Sequence, residues 1–232
     1  FLKTTTYKNA ILYGLFTSFM LLTQFFGLFV FASQLIVLLF IFIKKEKSVK
    51  LLFFKQLFVS GCIIIISFLP ALTIFIETTK KKYAAIQPTT LDTIFLIFKD
   101  FVQQSHVLLF LYSALIVVCI YYAFKEKMKQ SYLILFSWVI ITLTIPIIRS
   151  YLVTPMIVSR YFITILPAFI IIVSIAILKF KNSIVKISLL LFLTIVTFYE
   201  LFVSNDYYNK IAKTQFREVT EFIKKENSEN DE

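Results

Sequence analysis

The stretch that decides the fold is Gln56–Ile76, QLFVSGCIIIISFLPALTIFI, which contains no charged side chain. A helix that crosses a bilayer needs about 20 mostly apolar residues at ~1.5 Å rise each, and this stretch has that length and character. Pro70 removes one helix hydrogen bond and predicts a kink, which membrane helices accept when neighbouring groups satisfy the freed carbonyl. We therefore predict a kinked transmembrane helix here.

The composition of the whole chain is typical of a membrane protein. Of its 232 residues, 59% are apolar and only 16% are charged, against roughly 45–50% and ~25% in an ordinary soluble domain. One soluble core of this length could not bury so much apolar surface, whereas lipid accepts apolar side chains on every side of a helix. The formal charge of +11 then indicates basic cytoplasmic loops rather than a nucleic-acid partner.

Further apolar stretches predict about seven crossings in an all-α, polytopic membrane helix bundle that occupies residues 1–203. Residues 6–43, with an apolar block from Ala10 to Ile43, form either two crossings with a turn at Gln24–Gly27 or one long tilted helix. The other predicted crossings are Gln56–Ile76, His106–Phe124, Ser131–Ile148, Tyr161–Leu178 and Ile184–Val203. The predicted loops between them include Lys44–Lys55, Glu77–Ser105 and Arg149–Arg160.

Two polar segments have the apolar spacing of a surface helix. Apolar residues share one face between Thr90 and Val102, which predicts a helix lying in the membrane interface. In the polar tail at 204–232, apolar residues recur every three or four positions from Ala212 to Ile223 and predict a short amphipathic helix. The acidic end of the tail is predicted to fray or to continue into a truncated soluble region at the outer face.

The distribution of charge predicts which way the helices run. The segments 1–9, 44–55, 125–130 and 179–186 hold 13 of the 24 Lys and Arg residues but only two of the 13 acids. Because basic residues in short loops stay on the cytoplasmic side, these segments are predicted to be cytoplasmic. The N-terminal end is then inside and the C-terminal tail outside, in a bacterial inner or plasma membrane.

Composition excludes several familiar kinds of site. Three scattered glycines, Gly14, Gly27 and Gly61, cannot form a glycine-rich phosphate loop. A single histidine cannot form a His-based metal site. Cys62 and Cys119 lie in apolar stretches and predict buried, reduced thiols. The residues therefore indicate no metal, no cofactor and no nucleic-acid partner.

The remaining polar candidates gather at the predicted outer face. Arg149 and Arg160 flank an apolar loop that also holds Tyr151, and Tyr161 follows directly. Their ordinary role is anchoring, with arginine reaching lipid phosphates and tyrosine in the aromatic belt. The alternative is a pocket in which an arginine holds the phosphate of a lipid-linked substrate. His106 begins a helix at the same face, as a solvated cap, a headgroup contact or a proton-transfer group.

A series of motifs follows in order along the chain. They are Leu22–Phe29, Phe68–Leu72, Thr154–Tyr161, Leu166–Ala168 and Thr214–Val219. Their order resembles that in polytopic glycosyltransferases with the GT-C fold, in the protein mannosyltransferase-like and lipid-A aminoarabinose transferase-like branches. Two positions depart from that pattern, since Gln24 stands where histidine is common and Phe216 where tryptophan is common.

The resemblance implies transfer of a sugar from a polyprenyl-phosphate-linked donor to an unidentified acceptor at the outer face. It implies that Arg160 contacts the donor phosphate and that Tyr161 packs beside it. Possible further pocket residues are Gln24, His106, Arg149 and Tyr151. It also implies that the catalytic acid belongs to a loop upstream of Phe1, so that this fragment holds no catalytic residue. A divalent metal in that upstream part stays an open alternative. A transporter or flippase fragment and a non-catalytic membrane assembly subunit are the alternatives.

Overall fold

The computed structural model describes residues 6–80, 89–153, 155–206 and 220, which form helices and contain no strand. The helices are α1 (Tyr7–Thr23), α2 (Gly27–Lys44), α3 (Lys47–Phe68), α4 (Leu72–Lys80), α5 (Leu91–Phe101), α6 (His106–Lys125), α7 (Gln130–Leu152), α8 (Leu166–Leu178) and α9 (Ser183–Tyr199). Short 3-10 turns precede α4 at Leu69–Ala71 and α8 at Ser159–Ile165, and a π turn follows α9 at Glu200–Ser204. The predicted all-α membrane bundle is confirmed.

Six helical stretches of the described chain are long and apolar enough to cross a membrane. They are Gly27–Lys44, Lys47–Thr79, His106–Lys125, Gln130–Leu152, Ser159–Leu178 and Ser183–Ser204. Helix α1, the predicted first crossing, has 17 residues, and at ~1.5 Å per residue it is about 26 Å long, against a hydrocarbon core of ~30 Å. Length and composition therefore support six crossings, and the seventh stays a prediction.

Residues 6–43 form two helices, which decides between the two arrangements that the sequence allows. α1 ends at Thr23, and α2 begins after a turn in which the Gly27 N–H donates to the Gln24 carbonyl at 2.9 Å. The Tyr13 hydroxyl donates to Gln34 Oε1 across the two helices at 2.8 Å. Because Tyr13 and Gln34 lie at similar distances on either side of the turn, α1 and α2 run antiparallel.

The predicted loop at Lys44–Lys55 is wrong, because most of this segment is helical. α3 begins at Lys47 and includes Lys50 in its first turn. Lysine is a good helix former, and its long side chain reaches water from a helix end that lies in the interface. For the same reason Arg149, also predicted in a loop, lies in the last turn of α7.

The predicted kink at Pro70 takes the form of the 3-10 turn Leu69–Ala71 between α3 and α4. Together α3, this turn and α4 make a helical stretch of 33 residues, Lys47–Thr79. At ~1.5 Å per residue this is about 50 Å, longer than the hydrocarbon core of a bilayer. α4 therefore continues to Lys80, so that the loop predicted to begin at Glu77 begins with helical residues.

The amphipathic helix predicted between Thr90 and Val102 is confirmed as α5. The Thr90 hydroxyl accepts a hydrogen bond from the Thr93 N–H at 3.3 Å and caps its first turn. Ile97, on the apolar face of α5, is fully buried against Phe162 and Ile165. The helix predicted at Ala212–Ile223 lies, apart from the helical residue 220, outside the described residues.

The main core lies where α6, α7 and α8 meet. Buried side chains from all three helices join in one cluster, among them Leu115, Cys119, Tyr132, Leu135, Ala168, Ile172 and Ala176. The predicted burial of the thiols is right for Cys119 and only partly right for Cys62, which is half-buried. α9 packs at the edge of the bundle with most of its apolar side chains exposed, as expected of a helix that faces lipid on most sides.

The two ends of the bundle contain different turns and connecting segments. At the basic end, formed by the turns at 45–46, 126–129 and 179–182, Glu126 is paired with both Lys129 and Lys179. At the opposite end, which we call the Arg149 end, lie the turn at 24–26, the end of α4 and the segment 155–165. The Arg149 side chain itself links α7 to α4 there, since its Nη2 donates to the Thr79 carbonyl at 3.4 Å.

Candidate functional site

A cavity of about 570 Å³ lies at the Arg149 end, between the α1–α2 turn, α4, the end of α7 and the segment before α8. Its polar walls are Thr23, Gln24, Thr78, Thr79 and Arg149, and its apolar walls are Phe25, Phe26, Leu28, Phe29, Phe75, Pro155, Met156 and Tyr161. The volume is within the range of ~300–1,000 Å³ that small-molecule sites occupy. Such a combination of aromatic walls with a few polar groups suits an amphiphilic ligand.

Three hydrogen bonds, two from α7 and one from the α1–α2 turn, hold the segment 155–165 against the bundle. The Met156 N–H donates to the Ser150 hydroxyl of α7 at 2.7 Å, which turns the chain back after the helix ends. Gln24 Nε2 donates to the Tyr161 carbonyl at 3.3 Å, and Trp138 Nε1 donates to the Thr164 carbonyl at 3.0 Å. These bonds place Met156 beside Arg149 and the Tyr161 ring on the cavity wall.

Arg149 supplies a half-buried positive charge to the cavity. Its Nη1 donates to the Met156 sulfur at 3.0 Å, and its Nη2 donates to the Thr79 carbonyl at 3.4 Å. Both acceptors are neutral, and a thioether is a weak acceptor. Within residues 6–80, 89–153 and 155–206, no carboxylate lies within 4.0 Å of this guanidinium. An anionic ligand would therefore relieve an uncompensated charge in a place of reduced solvation.

Aromatic rings fix the shape of the apolar wall. The Phe26 ring lies 5.0 Å from the Tyr161 ring and 5.6 Å from the Phe162 ring, measured between centroids. The Phe25 ring lies edge-on at 5.3 Å from that of Phe75, which joins the α1–α2 turn to α4. Edge-to-face pairs at these separations are mutually attractive. The wall is thus a preformed apolar surface beside the guanidinium of Arg149.

Half of the predicted site residues come together at this cavity. Those that line it are Gln24, Arg149 and Tyr161. Arg160 is exposed and does not line the cavity, but its guanidinium carbon lies 5.2 Å from the centroid of the Tyr161 ring. Tyr151 and His106 are exposed and do not line the cavity, and His106 is the first residue of α6.

The contribution of α4 to the cavity was not predicted from the sequence. Phe75, Thr78 and Thr79 line the cavity, whereas the residues from Glu77 onward were predicted to be loop. Residues three and four apart share one face of a helix, so the spacing of Phe75, Thr78 and Thr79 was a usable signal. Using this signal required the knowledge that the helix continues beyond Ile76, where the crossing was predicted to end.

Comparison of the chain with protein-family models, with curated proteins and with solved structures finds no match. The resemblance to GT-C glycosyltransferases therefore depends on the motifs quoted from the sequence. Within the described residues, no group of three His, Cys, Asp or Glu side chains is placed to hold a metal ion. The feature of the described structure that bears on function is the cavity with the Arg149 guanidinium on its wall.

Proposed function

We propose that this chain is part of a membrane glycosyltransferase that takes a sugar from a polyprenyl-phosphate-linked donor. The acceptor lies at the outer face of a bacterial inner or plasma membrane, and the Arg149 end of the bundle is that outer side. The observation that carries the proposal is the half-buried Arg149 guanidinium in a cavity with aromatic walls. The guanidinium binds the donor phosphate, and the aromatic wall accepts the first isoprene units.

The chemistry of the transfer requires a cation at this place. When the bond between the sugar and the phosphate breaks, negative charge develops on the departing phosphate oxygen, and a preorganised donor stabilises it. The planar guanidinium of Arg149 presents two parallel N–H groups to two phosphate oxygens. The Met156 sulfur that it now contacts is a weak acceptor, so the phosphate displaces it at little cost.

Arg160 and Tyr161 have supporting roles in this proposal. Arg160, exposed beside the Tyr161 ring, attracts the anionic headgroup as it approaches the cavity. Tyr161 packs against the bound donor as part of the wall. No carboxylate is among the described residues that line the cavity, so the proposal assigns donor binding to this chain and leaves the general base of the transfer to residues outside that lining.

A binding experiment tests whether Arg149 binds the donor phosphate. The purified protein in nanodiscs is titrated with radiolabelled polyprenyl monophosphate. Because a hydrogen bond to a charged group contributes ~1.5–3 kcal/mol, Arg149→Gln should weaken binding by about 10- to 150-fold. Lys99→Gln removes one positive charge from α5 without touching the cavity, and this matched control should bind within about twofold of the wild-type protein.

An activity experiment tests whether sugar is transferred from the donor and whether the transfer depends on Arg149. The complete protein in membranes receives a polyprenyl-phosphate-linked sugar, and both sugar transfer and lipid flipping are measured. Arg149→Gln should abolish most transfer, and Arg149→Lys should retain part of it, since lysine keeps the charge but loses the bidentate geometry. Flipping without transfer would identify a transporter instead, and unchanged transfer in Arg149→Gln would show that Arg149 does not hold the donor phosphate.

A further inference from the structure

A second cavity, of about 360 Å³, lies at the basic end of the bundle, where α2 meets the turn before α7. Lys44, Lys45 and Gln130 form its polar rim, and Phe40, Met128 and Leu133 lie on its apolar side. Lys44 is the last residue of Gly27–Lys44, one of the helical stretches long and apolar enough to cross a membrane, so the rim lies at headgroup depth and the apolar side faces the acyl chains. The cavity is separate from the one that contains Arg149.

Aromatic rings hold both lysines in place. The Lys44 ammonium lies 4.1 Å from the centroid of the Phe40 ring, and the Lys45 ammonium lies 4.8 Å from that of Phe53. Cation–π contacts of this kind are attractive and restrict the otherwise mobile lysine chain. Each of the two positive charges on the rim of this cavity therefore has an attractive aromatic contact that favours its position.

The acids of the basic end do not compensate these charges. Glu126 is hydrogen-bonded to Lys129 at 2.7 Å and also to Lys179, and these two bonds hold the pKa of its carboxyl below the usual range. Glu46, the other acid at this end, forms no ion pair within 4.0 Å in the part of the chain that the structure describes. Lys44 and Lys45 are thus available to an external anion.

We infer that this cavity binds the phosphodiester headgroup of an anionic phospholipid. The two ammonium groups of Lys44 and Lys45 hold the phosphate, and the Gln130 amide hydrogen-bonds the polar group beyond it. One acyl chain then runs along Leu133 and the apolar side of α2. Basic residues next to a membrane span attract anionic lipids, and here a shaped cavity turns that general attraction into a site. The bound lipid ties α2 to the α6–α7 turn.

The test compares lipids that share their acyl chains. The wild-type protein in a neutral detergent is titrated with fluorescent phosphatidylglycerol and with fluorescent phosphatidylcholine, and phosphatidylglycerol should bind much more tightly. Each basic residue near an anionic surface strengthens binding about fivefold, so the double variant Lys44→Gln/Lys45→Gln should bind phosphatidylglycerol roughly 25-fold more weakly. The matched control, Lys181→Gln/Lys186→Gln, removes two charges from the same end outside this cavity and should change binding by about twofold at most.

Several outcomes would overturn the inference. Equal losses in the two double variants would show diffuse attraction to the basic end, and equal binding of the two lipids would show no headgroup recognition. Displacement of the lipid by inorganic phosphate at the same concentration would show an anion site that does not recognise the lipid.

Lys44→Arg/Lys45→Arg should restore binding if charge matters. Leu133→Trp, which fills the cavity and keeps every charge, should weaken binding if shape matters, and it provides a second variant should the lysine variants fail to fold.

Discussion

The packing of α1 on α3 can be tested at two glycines that differ only in their surroundings. A Cβ atom added at Gly14 of α1 would lie 3.1 Å from Ile63 Cβ and 3.1 Å from the Ser60 carbonyl oxygen of α3. A Cβ atom added at Gly61 of α3 would meet no atom within 4 Å. A hydrogen bond also joins α1 to α3 near Gly14, because the Ser60 hydroxyl donates to the Ala10 carbonyl at 2.8 Å. The perturbation is Gly→Ala at each position.

The two substitutions share one energy term and differ in another. Replacing a glycine within a helix by alanine stabilises the helix by roughly 0.5–1 kcal/mol, and this gain applies to both Gly14 and Gly61. At Gly14 the new methyl group also meets a backbone carbonyl that cannot move aside, and overpacking of this kind costs about 1–3 kcal/mol. We therefore expect Gly61→Ala to stabilise the protein, and Gly14→Ala to be less stable than Gly61→Ala by about 1–3 kcal/mol.

Unfolding by a denaturing detergent, followed by far-UV circular dichroism in mixed micelles, measures the difference directly. Gly14→Val should lose more stability than Gly14→Ala, because its branched side chain needs still more room between α1 and α3. If Gly14→Ala proved as stable as Gly61→Ala, the close approach of α1 to Ser60 and Ile63 would be refuted, and with it the pairing of these two helices.

Three further predictions concern polar groups. Tyr13→Phe removes the hydrogen bond to Gln34 Oε1 and should lower the free energy of unfolding by about 1 kcal/mol in the same assay. Glu126 is hydrogen-bonded to two lysines, and these bonds lower the pKa of its carboxyl in the folded protein. The pairing therefore stabilises the fold fully above an unfolded pKa of ~4.3, and this stabilisation is lost as the pH falls through the folded pKa. Glu126→Gln should therefore remove part of the acid-induced fall in melting temperature, and an unchanged pH profile would contradict the pairing. Single cysteines at Lys45 and Asp92, in a background without the native cysteines, should react with impermeant reagents from opposite sides of the membrane, whereas labelling of both from outside would refute the predicted orientation.

Much of the fold could be predicted from the sequence because burial in lipid leaves a strong local signal. Apolar stretches of about 20 residues located the long helices, and apolar periodicity located α5. Helix ends were less predictable, as the start of α3 at Lys47 illustrates. A lysine is compatible with a loop and with the end of a helix in the interface, so the presence of charge does not mark where the helix begins.

The cavity could be predicted only in part, because it depends on contacts between distant segments. Gln24 meets the Tyr161 carbonyl, and Arg149 meets the Thr79 carbonyl, yet no local pattern pairs these residues. The sequence indicated polar residues at one face of the membrane and named both Arg149 and Arg160. Which arginine enters the cavity is decided by the turn at Ser150 and Met156, whose geometry is a tertiary property.

Binding of the donor phosphate at Arg149 is tested most directly by photo-crosslinking with a polyprenyl phosphate that carries a diazirine beside its phosphate. If the phosphate binds at Arg149, labelled peptides should come from 23–29, 75–79 and 155–161, the segments that line the cavity. Arg149→Gln should remove this labelling, and Lys99→Gln should leave it intact. Binding at Arg149 would be contradicted if labelling were confined to the basic end or to α9. It would also be contradicted if Arg149→Gln did not reduce the labelling of the cavity segments.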